Sequence, residues 1–259
     1  MKVSVITVNL NNASGLEKTI RSVVNQKFTD FEYIIIDGGS TDNSLDVILN
    51  SQLLTLNSQY VSEPDNGIYH AMNKGIARAS GEYLIFMNSG DCFISDDTLL
   101  NVFSQKHAAD LVVGNIIING KTVKTRYSVP HKITFYYFMV STIWHQSTFT
   151  KKSLFDEIGY YDEHLKISSD WKFALLALVK YNKSIEIIDE DIALMEANGI
   201  SGSNEANEWI KKEHDDTIKQ YFPYLYNDYK ELYRLKRFSF YRLREYIRWR
   251  LRKVFYRVD

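Results

Sequence analysis

The sequence predicts an α/β fold: a mixed, mostly parallel sheet flanked by helices, with a helical extension at the C-terminus. Apolar, strand-prone runs alternate with segments of helical period through residues 1–103, the pattern of a largely parallel sheet covered on both faces. Successive runs end in small polar or acidic residues, and sheets of this kind gather ligands beyond the carboxyl ends of their strands. Residues 205–259 abandon that alternation for basic and aromatic side chains.

Lys2 to Val8 reads as a buried strand, Gly15 to Gln26 as a helix and Phe31 to Ile36 as a second strand. Thr41-Asp42-Asn43-Ser44 supplies cap-type residues for a helix from Asp42 to Asn57. Gln59 to Ser62 is a short extended piece that stops at Pro64. Ile68 to Ala79 is helical, Tyr83 to Met87 is the next strand, and Asp96 to Phe103 returns to helix. After Asp110 the pattern changes. Leu111 to Ile118 and Lys121 to Thr125 flank Asn119-Gly120, which suits a type I′ hairpin turn. Helices are expected over Thr134–Val140, Ser153–Ile158 and Asp170–Tyr181, with a further strand over Ser184–Ile188.

The strand ends carry the chemistry. They deliver Asn9, then Asp37-Gly38-Gly39-Ser40, then Glu63-Pro64-Asp65, then Asn88-Ser89-Gly90-Asp91 to one rim. A rim so rich in carboxylates is costly unless a positive group sits there. Asn88 and Asp91 offer hard oxygen donors, suited to Mg²⁺ or Mn²⁺ and hence to a substrate phosphate. The same four residues also make an ordinary turn.

A chain of 259 residues, 45% of them hydrophobic, can bury a substantial core. The single cysteine, Cys92, excludes an internal disulfide framework and fits a reducing compartment. Val3 to Val8 is too short for a signal peptide and no run approaches a membrane span, so a cytoplasmic location is expected. The net charge of −1 hides an asymmetry. From Tyr233 onward ten Lys or Arg face only Glu245 and Asp259, which leaves the tail at +8 and residues 1–232 at −9.

Several motifs together resemble family 2 glycosyltransferases. They include Val3-Ser4-Val5-Ile6-Thr7-Val8-Asn9, Asp37 to Asp42, Glu63-Pro64-Asp65-Asn66-Gly67-Ile68-Tyr69, Ala71-Met72-Asn73-Lys74-Gly75 and Gly81-Glu82-Tyr83. His145-Gln146-Ser147, Gly159-Tyr160-Tyr161-Asp162, Ser169-Asp170-Trp171 and Asn198-Gly199-Ile200-Ser201 continue the series in order. The resemblance implies the GT-A fold, a Rossmann-like nucleotide-sugar-binding half over residues 1–115 joined to an acceptor-binding half over 116–204. It implies transfer of one sugar, with inversion, from a nucleotide diphosphate sugar of the UDP class to a lipid-linked or growing cell-surface glycan.

On that resemblance Asp37 would accept a hydrogen bond from the donor's pyrimidine, with Val8 and Asn9 lining the base and ribose site. Asp37 also reads as a turn residue. Glu63, Asp65, Asn73 and Lys74 would line the nucleotide site, Lys74 as a point charge for a phosphate or as a solvated lysine. Asp65 has an N-cap reading beside the nucleotide one. Asp91 would hold Mn²⁺ or Mg²⁺. Asn88 replaces a carboxylate by a neutral carbonyl and would touch either the metal or the donor sugar. Asp170 would be the general base; the family's Glu before it is Ser169 here. His145 and Trp171 are candidate donor or acceptor contacts, each with a structural alternative. Asn198 to Ser203 reads either as a closing loop or as a plain exposed one.

From Phe240 a helix would align Phe240, Leu243, Ile247, Leu251, Val254 and Val258 on one stripe. Arg and Lys, with Trp249, fill most of the remainder, a composition suited to the headgroup layer of an anionic membrane. The expected place of action is therefore the inner face of the plasma membrane. Packing on the body or on a second copy, as a homodimer, is the alternative. No nucleic-acid module is recognisable. A different class of function is a degenerate transferase fold that scaffolds a polysaccharide assembly. An oxidoreductase is disfavoured, because no G-x-G-x-x-G follows the first strand.

Overall fold

A computed structural model describes residues 1–51, 57–120, 123–196 and 204–237, together with 243, 244, 246 and 247. The chain divides into two compact units, Met1–Lys211 and Lys212–Asp259.

In the first unit β1 (Val3–Asn9), β2 (Phe31–Asp37), β3 (Ser58–Ser62) and β4 (Tyr83–Phe86) run parallel in the order β3-β2-β1-β4. β1 and β2 are buried along their whole length, which explains their near-continuous apolar sequence. Their polar residues pair internally. Ser4 Oγ donates to Glu32 Oε1 at 2.6 Å, and the same carboxylate oxygen accepts from the backbone N–H of Ser80 at 2.6 Å. Helix α1 (Ala13–Val24) turns Leu16, Ile20 and Val23 into the core and is capped by Asn12, whose side chain accepts from the Gly15 N–H. α2 (Ser44–Asn50) and α3 (Ile68–Arg78) complete these crossovers. The strand order reverses between β1 and β4, so the crevice beyond their carboxyl ends is the switch point at which such sheets bind ligands.

The mixed half adds β5 (Cys92–Phe93), α4 (Thr98–Phe103), β6 (Leu111–Asn119), β7 (Lys124–Tyr127), α5 (Phe135–Val140), β8 (Thr148–Lys151), α6 (Lys152–Ile158), α7 (Ser169–Leu175) and β9 (Ile185–Glu196). The sheet continues β4-β8-β6-β9-β5, with β7 paired to β6. β6 crosses the expected boundary at residue 115, so both halves share one sheet.

Four expectations need correction. β5 and β8 are additional strands, too short to show a period of their own. β9 runs on to Glu196, well past the expected end at Ile188. The acidic Asp189-Glu190-Asp191 is accommodated at an irregularity opposite Gly114, where Asn115 Nδ2 bonds Asp189 Oδ1 and the Glu190 carbonyl at 3.2 and 3.1 Å. The hairpin does not close at Asn119-Gly120: Asn119 pairs with Lys124, so the connection runs over 120–123. That register brings Arg126 within 2.7 Å of Asp189 and 2.5 Å of Asp191 on β9. Finally, α2 ends at Asn50, while 52–56, in the last part of the helix expected to reach Asn57, lie outside the described residues.

The boundary between the units falls inside α8 (Asn204–Tyr221). The second unit continues through a 3-10 turn at Pro223–Leu225 into α9 (Tyr226–Arg237), where Lys219 and Lys230 lie over the Tyr226 ring at 5.2 and 4.6 Å. Leu243 and Ile247 are 54% and 48% exposed. Phe240, Leu251, Val254 and Val258 of the expected stripe, Trp249 beside it and the loop 198–203 lie outside the described residues. Among the described residues no helix is long and apolar enough to cross a membrane.

Candidate active site

The carboxyl ends of β1, β2 and β3 converge on Asp37. Its Oδ1 accepts from Asn9 Nδ2 at 2.8 Å and Ser40 Oγ at 2.6 Å; its Oδ2 accepts from the Ser40 N–H at 3.0 Å and Ser62 Oγ at 2.7 Å. Burial pushes this carboxyl up, but the bonds from Ser40, Ser62 and Asn9 outweigh burial and hold Asp37 below the ordinary carboxylate value. A carboxylate offers about four lone-pair positions, and here four donors occupy them. Asp37 therefore organises the strand ends, and the surface beside it is made by Ser40, Ser62 and Asp65. Asp65 Oδ1 accepts from the Gly67 N–H at 3.0 Å, a turn two residues before α3 rather than an N-cap, since Gly67 is the cap residue. The other oxygen of Asp65 lies over Gly38: a Cβ there would sit 2.4 Å from Oδ2.

The loop after β4 is held from several directions. The Gly90 N–H donates to Thr19 Oγ1 at 3.0 Å, and Thr19 Oγ1 donates to the Asp91 carbonyl at 2.7 Å. Asn12 Nδ2 donates to the Ser89 carbonyl at 3.0 Å. Gly90 has φ +105°, a conformation side chains resist. The loop thus presents Asp91, 8% exposed, beside Gln146, whose Nε2 donates to Asp91 Oδ2 at 3.1 Å. Burial pushes the Asp91 carboxyl up to about 6 against the opposing pull of His145 and Gln146.

Two buried acceptors, Asn88 Oδ1 and Gln146 Oε1, have no hydrogen-bond partner. A buried carboxylate with a raised pKa, flanked by orphaned amide oxygens, lacks positive charge and donors. A hydrated divalent cation carrying a hydroxylated ligand would supply both, so the residues fit a hard cation at Asp91. Among the described residues there is no group of three or more His, Cys, Asp and Glu able to hold a metal. One carboxylate suits an ion whose remaining ligands are phosphate and water.

On the other side of this loop stands Asp170, in the first turn of α7. His145 Nδ1 lies 2.8 Å from Asp170 Oδ2, and His145 Nε2 lies 3.2 Å from Asn88 Nδ2. The Tyr69 hydroxyl is placed between the Ile167 carbonyl and Asp170 Oδ1, 3.1 Å from the latter. Burial raises the Asp170 carboxyl; His145, the Trp171 backbone N–H and Tyr69 outweigh it and leave Asp170 below the ordinary range. His145 and Asp170 form the polar wall of a pocket with an open volume of about 320 Å³, walled elsewhere by Phe86, Ile143, Tyr161 and Phe173.

Three expected site residues are used differently. Asn73, 8% exposed, clamps the 159–163 loop: Nδ2 donates to the Tyr161 carbonyl and Glu163 Oε1, and Oδ1 accepts from the Tyr161 N–H at 3.0 Å. Its amide has no face left for a nucleotide. Lys74 is not an isolated charge, since its Nζ lies 3.0 Å from Glu63 Oε1 and donates to the Pro64 carbonyl. Trp171 is 2% exposed and donates Nε1–H to the Phe138 carbonyl, so it is core and not a sugar platform. Val8 lies in β1, and its carbonyl accepts from the Ser89 N–H at 3.1 Å. Thr19, Ser40, Ser62, Tyr69 and Gln146 enter the site without a sequence expectation of their own. Ser40, Tyr69 and Gln146 had a local signal, their places in Asp37-Gly38-Gly39-Ser40, in Glu63 to Tyr69 and in His145-Gln146-Ser147.

The sequence matches the family described as Glycosyl transferase family 2 over residues 4–167. A PGL/p-HBAD biosynthesis glycosyltransferase of Mycobacterium bovis (strain BCG / Pasteur 1173P2) is 33% identical over 175 residues, covering 66% of this chain and 67% of that protein. An uncharacterized glycosyltransferase of Mycobacterium tuberculosis (strain ATCC 25618 / H37Rv) is 33% identical over 187 residues, 68% of each. Among solved structures, S. aureus TarS 1-349 in complex with UDP-GlcNAc superposes with TM-score 0.65 at 20% identity, covering 85% of this chain and 67% of that one. Mannosyltransferase PcManGT from Pyrobaculum calidifontis, in complex with GDP-Man and Mn2+, gives 0.60 at 16%, covering 85% and 63%. At these identities the structural likeness is one of fold, the GT-A arrangement. The chain spans about two thirds of the length of the relatives it matches.

Proposed function

Because the chain belongs to glycosyl transferase family 2, we propose that it moves a single sugar from a nucleotide diphosphate sugar, of the UDP class, to a lipid-linked or growing cell-surface glycan. The observation that carries this reading is the junction at Asn88. That residue sits three positions from the cation-compatible Asp91 and its amide reaches His145, which is bonded to Asp170. A leaving diphosphate and an attacking hydroxyl need their two partners on opposite sides of one anomeric carbon, and this junction supplies both within one crevice. Inversion is part of this reading, the hydroxyl attacking from the side opposite the leaving diphosphate.

In this reading the base and ribose lie along Ser40, Ser62 and Asp65, the last seated over Gly38. Asp91 holds Mn²⁺ or Mg²⁺. When bound there the ion supplies Lewis-acid neutralisation of the diphosphate. Asn88 Oδ1 and Gln146 Oε1 accept from donor-sugar hydroxyls or from the ion's waters. Asp170 stands at the proton-accepting end of the site, and the apolar walls beneath it strengthen its interaction with His145 by lowering the local dielectric. A tail that is +8 from Tyr233 onward, with Leu243 and Ile247 exposed, supports an acceptor met at an anionic membrane surface, the inner face of the plasma membrane.

The test is release of nucleoside diphosphate by the purified chain from UDP-, GDP- and dTDP-sugars, with Mn²⁺ or Mg²⁺ and then with EDTA. Metal-dependent release from one donor, lost in Asp91→Ala, supports the reading. Silence with every donor and a lipid-linked acceptor supplied turns the assignment to a transferase-fold scaffold.

A further inference from the structure

Tyr69 is the second residue of α3, directly after the Asp65–Gly67 turn, yet its hydroxyl reaches a segment 101 positions further along the chain. Two acceptors meet it there, the Ile167 carbonyl and Asp170 Oδ1, the latter at 3.1 Å. The residue is 5% exposed, and its ring lies 5.7 Å from that of Tyr161. Burial, together with the charge of Asp170, holds the phenol well above its ordinary value, so it stays protonated and remains a donor.

Asp170 needs more than one anchor. His145 Nδ1 lies 2.8 Å from its Oδ2, and a carboxylate gripped at one oxygen still turns about the bond that carries it. A contact at Oδ1 fixes the plane of the group, and with it the direction of the lone pairs left over. Tyr69 makes that contact. Asn73, one turn further along the same face of α3, holds the Tyr161 backbone and Glu163. The loop it holds is bonded in turn to α7. The Asp162 N–H donates to Ser169 Oγ at 2.6 Å, and Lys172 Nζ lies 2.6 Å from Asp162 Oδ2. Helix α3 thus grips the start of α7 twice, once through a loop and once at the carboxylate itself.

We propose that Tyr69 is a positioning residue for the transfer, its hydroxyl fixing the plane of the Asp170 carboxylate that takes the acceptor's proton. This rests on the transferase reading above. In the step, the acceptor oxygen bonds to the anomeric carbon as its proton passes to Asp170. The bond from that carbon to the phosphate oxygen breaks, and its electron pair leaves with the nucleoside diphosphate. The phenolic proton stays on Tyr69 throughout. Among the described residues this hydroxyl bonds to Ile167 and Asp170, and to none of the groups assigned to the nucleotide or the cation. Its loss therefore acts on the rate and spares donor binding. Tyr69→Phe removes the hydroxyl and keeps a ring against Tyr161.

The test uses the full chain with Mn²⁺ and four donors, UDP-glucose, UDP-GlcNAc, GDP-mannose and dTDP-glucose, following nucleoside diphosphate release with water as acceptor. Tyr69→Phe is expected to lower kcat about 10–10²-fold, the range that a misplacement of about 1 Å can produce. The donor KM, and the affinity for the released nucleoside diphosphate by calorimetry, should stay within about threefold. Hydrogen exchange should quicken at the amides of 169–173 in that variant and stay unchanged in β1 and β2. Unchanged exchange at 169–173, or a kcat within about threefold of the wild type, overturns the proposal and leaves the transferase reading standing. So does a nucleotide affinity that falls as far as kcat, which would make Tyr69 a structural residue of the whole site. Silence of the wild type with all four donors overturns the transferase reading and the positioning role with it. Should Tyr69→Phe fail to fold, ¹³C-tyrosine spectra of the wild type decide. A Tyr69 hydroxyl proton that exchanges slowly with water supports the proposal, and one that exchanges fast overturns it.

Discussion

Gln146 Nε2 donates to Asp91 Oδ2 across 3.1 Å, tying the segment before β8 to the loop after β4. This bond joins parts of the chain 55 positions apart and holds a carboxylate that is otherwise poorly compensated. Removing a buried group of this kind, or its partners, shifts a balance that stability and binding measurements can read.

Asp91 carries a stability cost in the absence of a cation. Its folded carboxyl titrates at about 6, above an unfolded value of about 3.9. The native state therefore binds the proton better, and stability falls as pH rises from about 4 to about 6. Asp91→Asn should stabilise the metal-free protein at pH 7.5 by about 2–3 kcal/mol, the cost of ionising a carboxyl that titrates this far above its unfolded value, with the gain gone at pH 4. Mn²⁺ should raise the melting temperature of the wild type and leave the variant unmoved. Equal melts at pH 7.5 would remove this account of Asp91.

Asp37 should behave with the opposite sign. Its carboxyl is held down in the folded state, so its stabilisation is present above the unfolded value and is lost as pH falls through the lower folded one. Asp37→Ala leaves Asn9, Ser40 and Ser62 without their acceptor and should cost about 2–4 kcal/mol in denaturant unfolding. Asp37→Asn should flatten the loss of stability below pH 4. An Asp37→Ala variant as stable as wild type would show that the cluster is not holding the strand ends together.

Gly38→Ala tests the nucleotide surface. The new Cβ would meet Asp65 Oδ2 at 2.4 Å and displace it. UDP binding, measured by calorimetry, should weaken about tenfold, the cost of one charged hydrogen bond. Unchanged UDP affinity would move the base and ribose away from Asp65.

Membrane association can be read directly by sedimentation with vesicles. The chain should partition onto phosphatidylglycerol vesicles and not phosphatidylcholine ones, since each basic residue near the surface contributes about 1 kcal/mol. Release by raised salt is expected, and Leu243→Glu with Ile247→Glu should weaken binding further. No partitioning at low salt would assign the tail to protein contacts.

How much was legible follows from what each element depends on. The β1–α3 segment was read closely because its signals are local: runs of Val and Ile, capping polar residues, and abrupt polar strand ends. The rim of Asn9, Asp37, Asp65 and Asn88-Asp91 followed, because a parallel sheet puts all its carboxyl ends on one side. β5 and β8 escaped because two or four residues carry no period. The span of β9 escaped because its acidic middle is tolerated only where Asn115 and Arg126 meet it.

The sequence by itself determined the fold class, the order of the parallel strands' contributions to one rim, and the identity of Asp91, His145 and Asp170 as residues to watch. Only the tertiary structure decided how those side chains are employed. Asn73 became a clamp and Trp171 core, Asp37 became saturated by Ser40 and Ser62, and His145 was set between Asp170 and Asn88. The physical reason is that a secondary structure element follows from periodicity along the chain. A hydrogen-bond partner, in contrast, is assigned by three-dimensional competition among every donor and acceptor brought within about 3 Å.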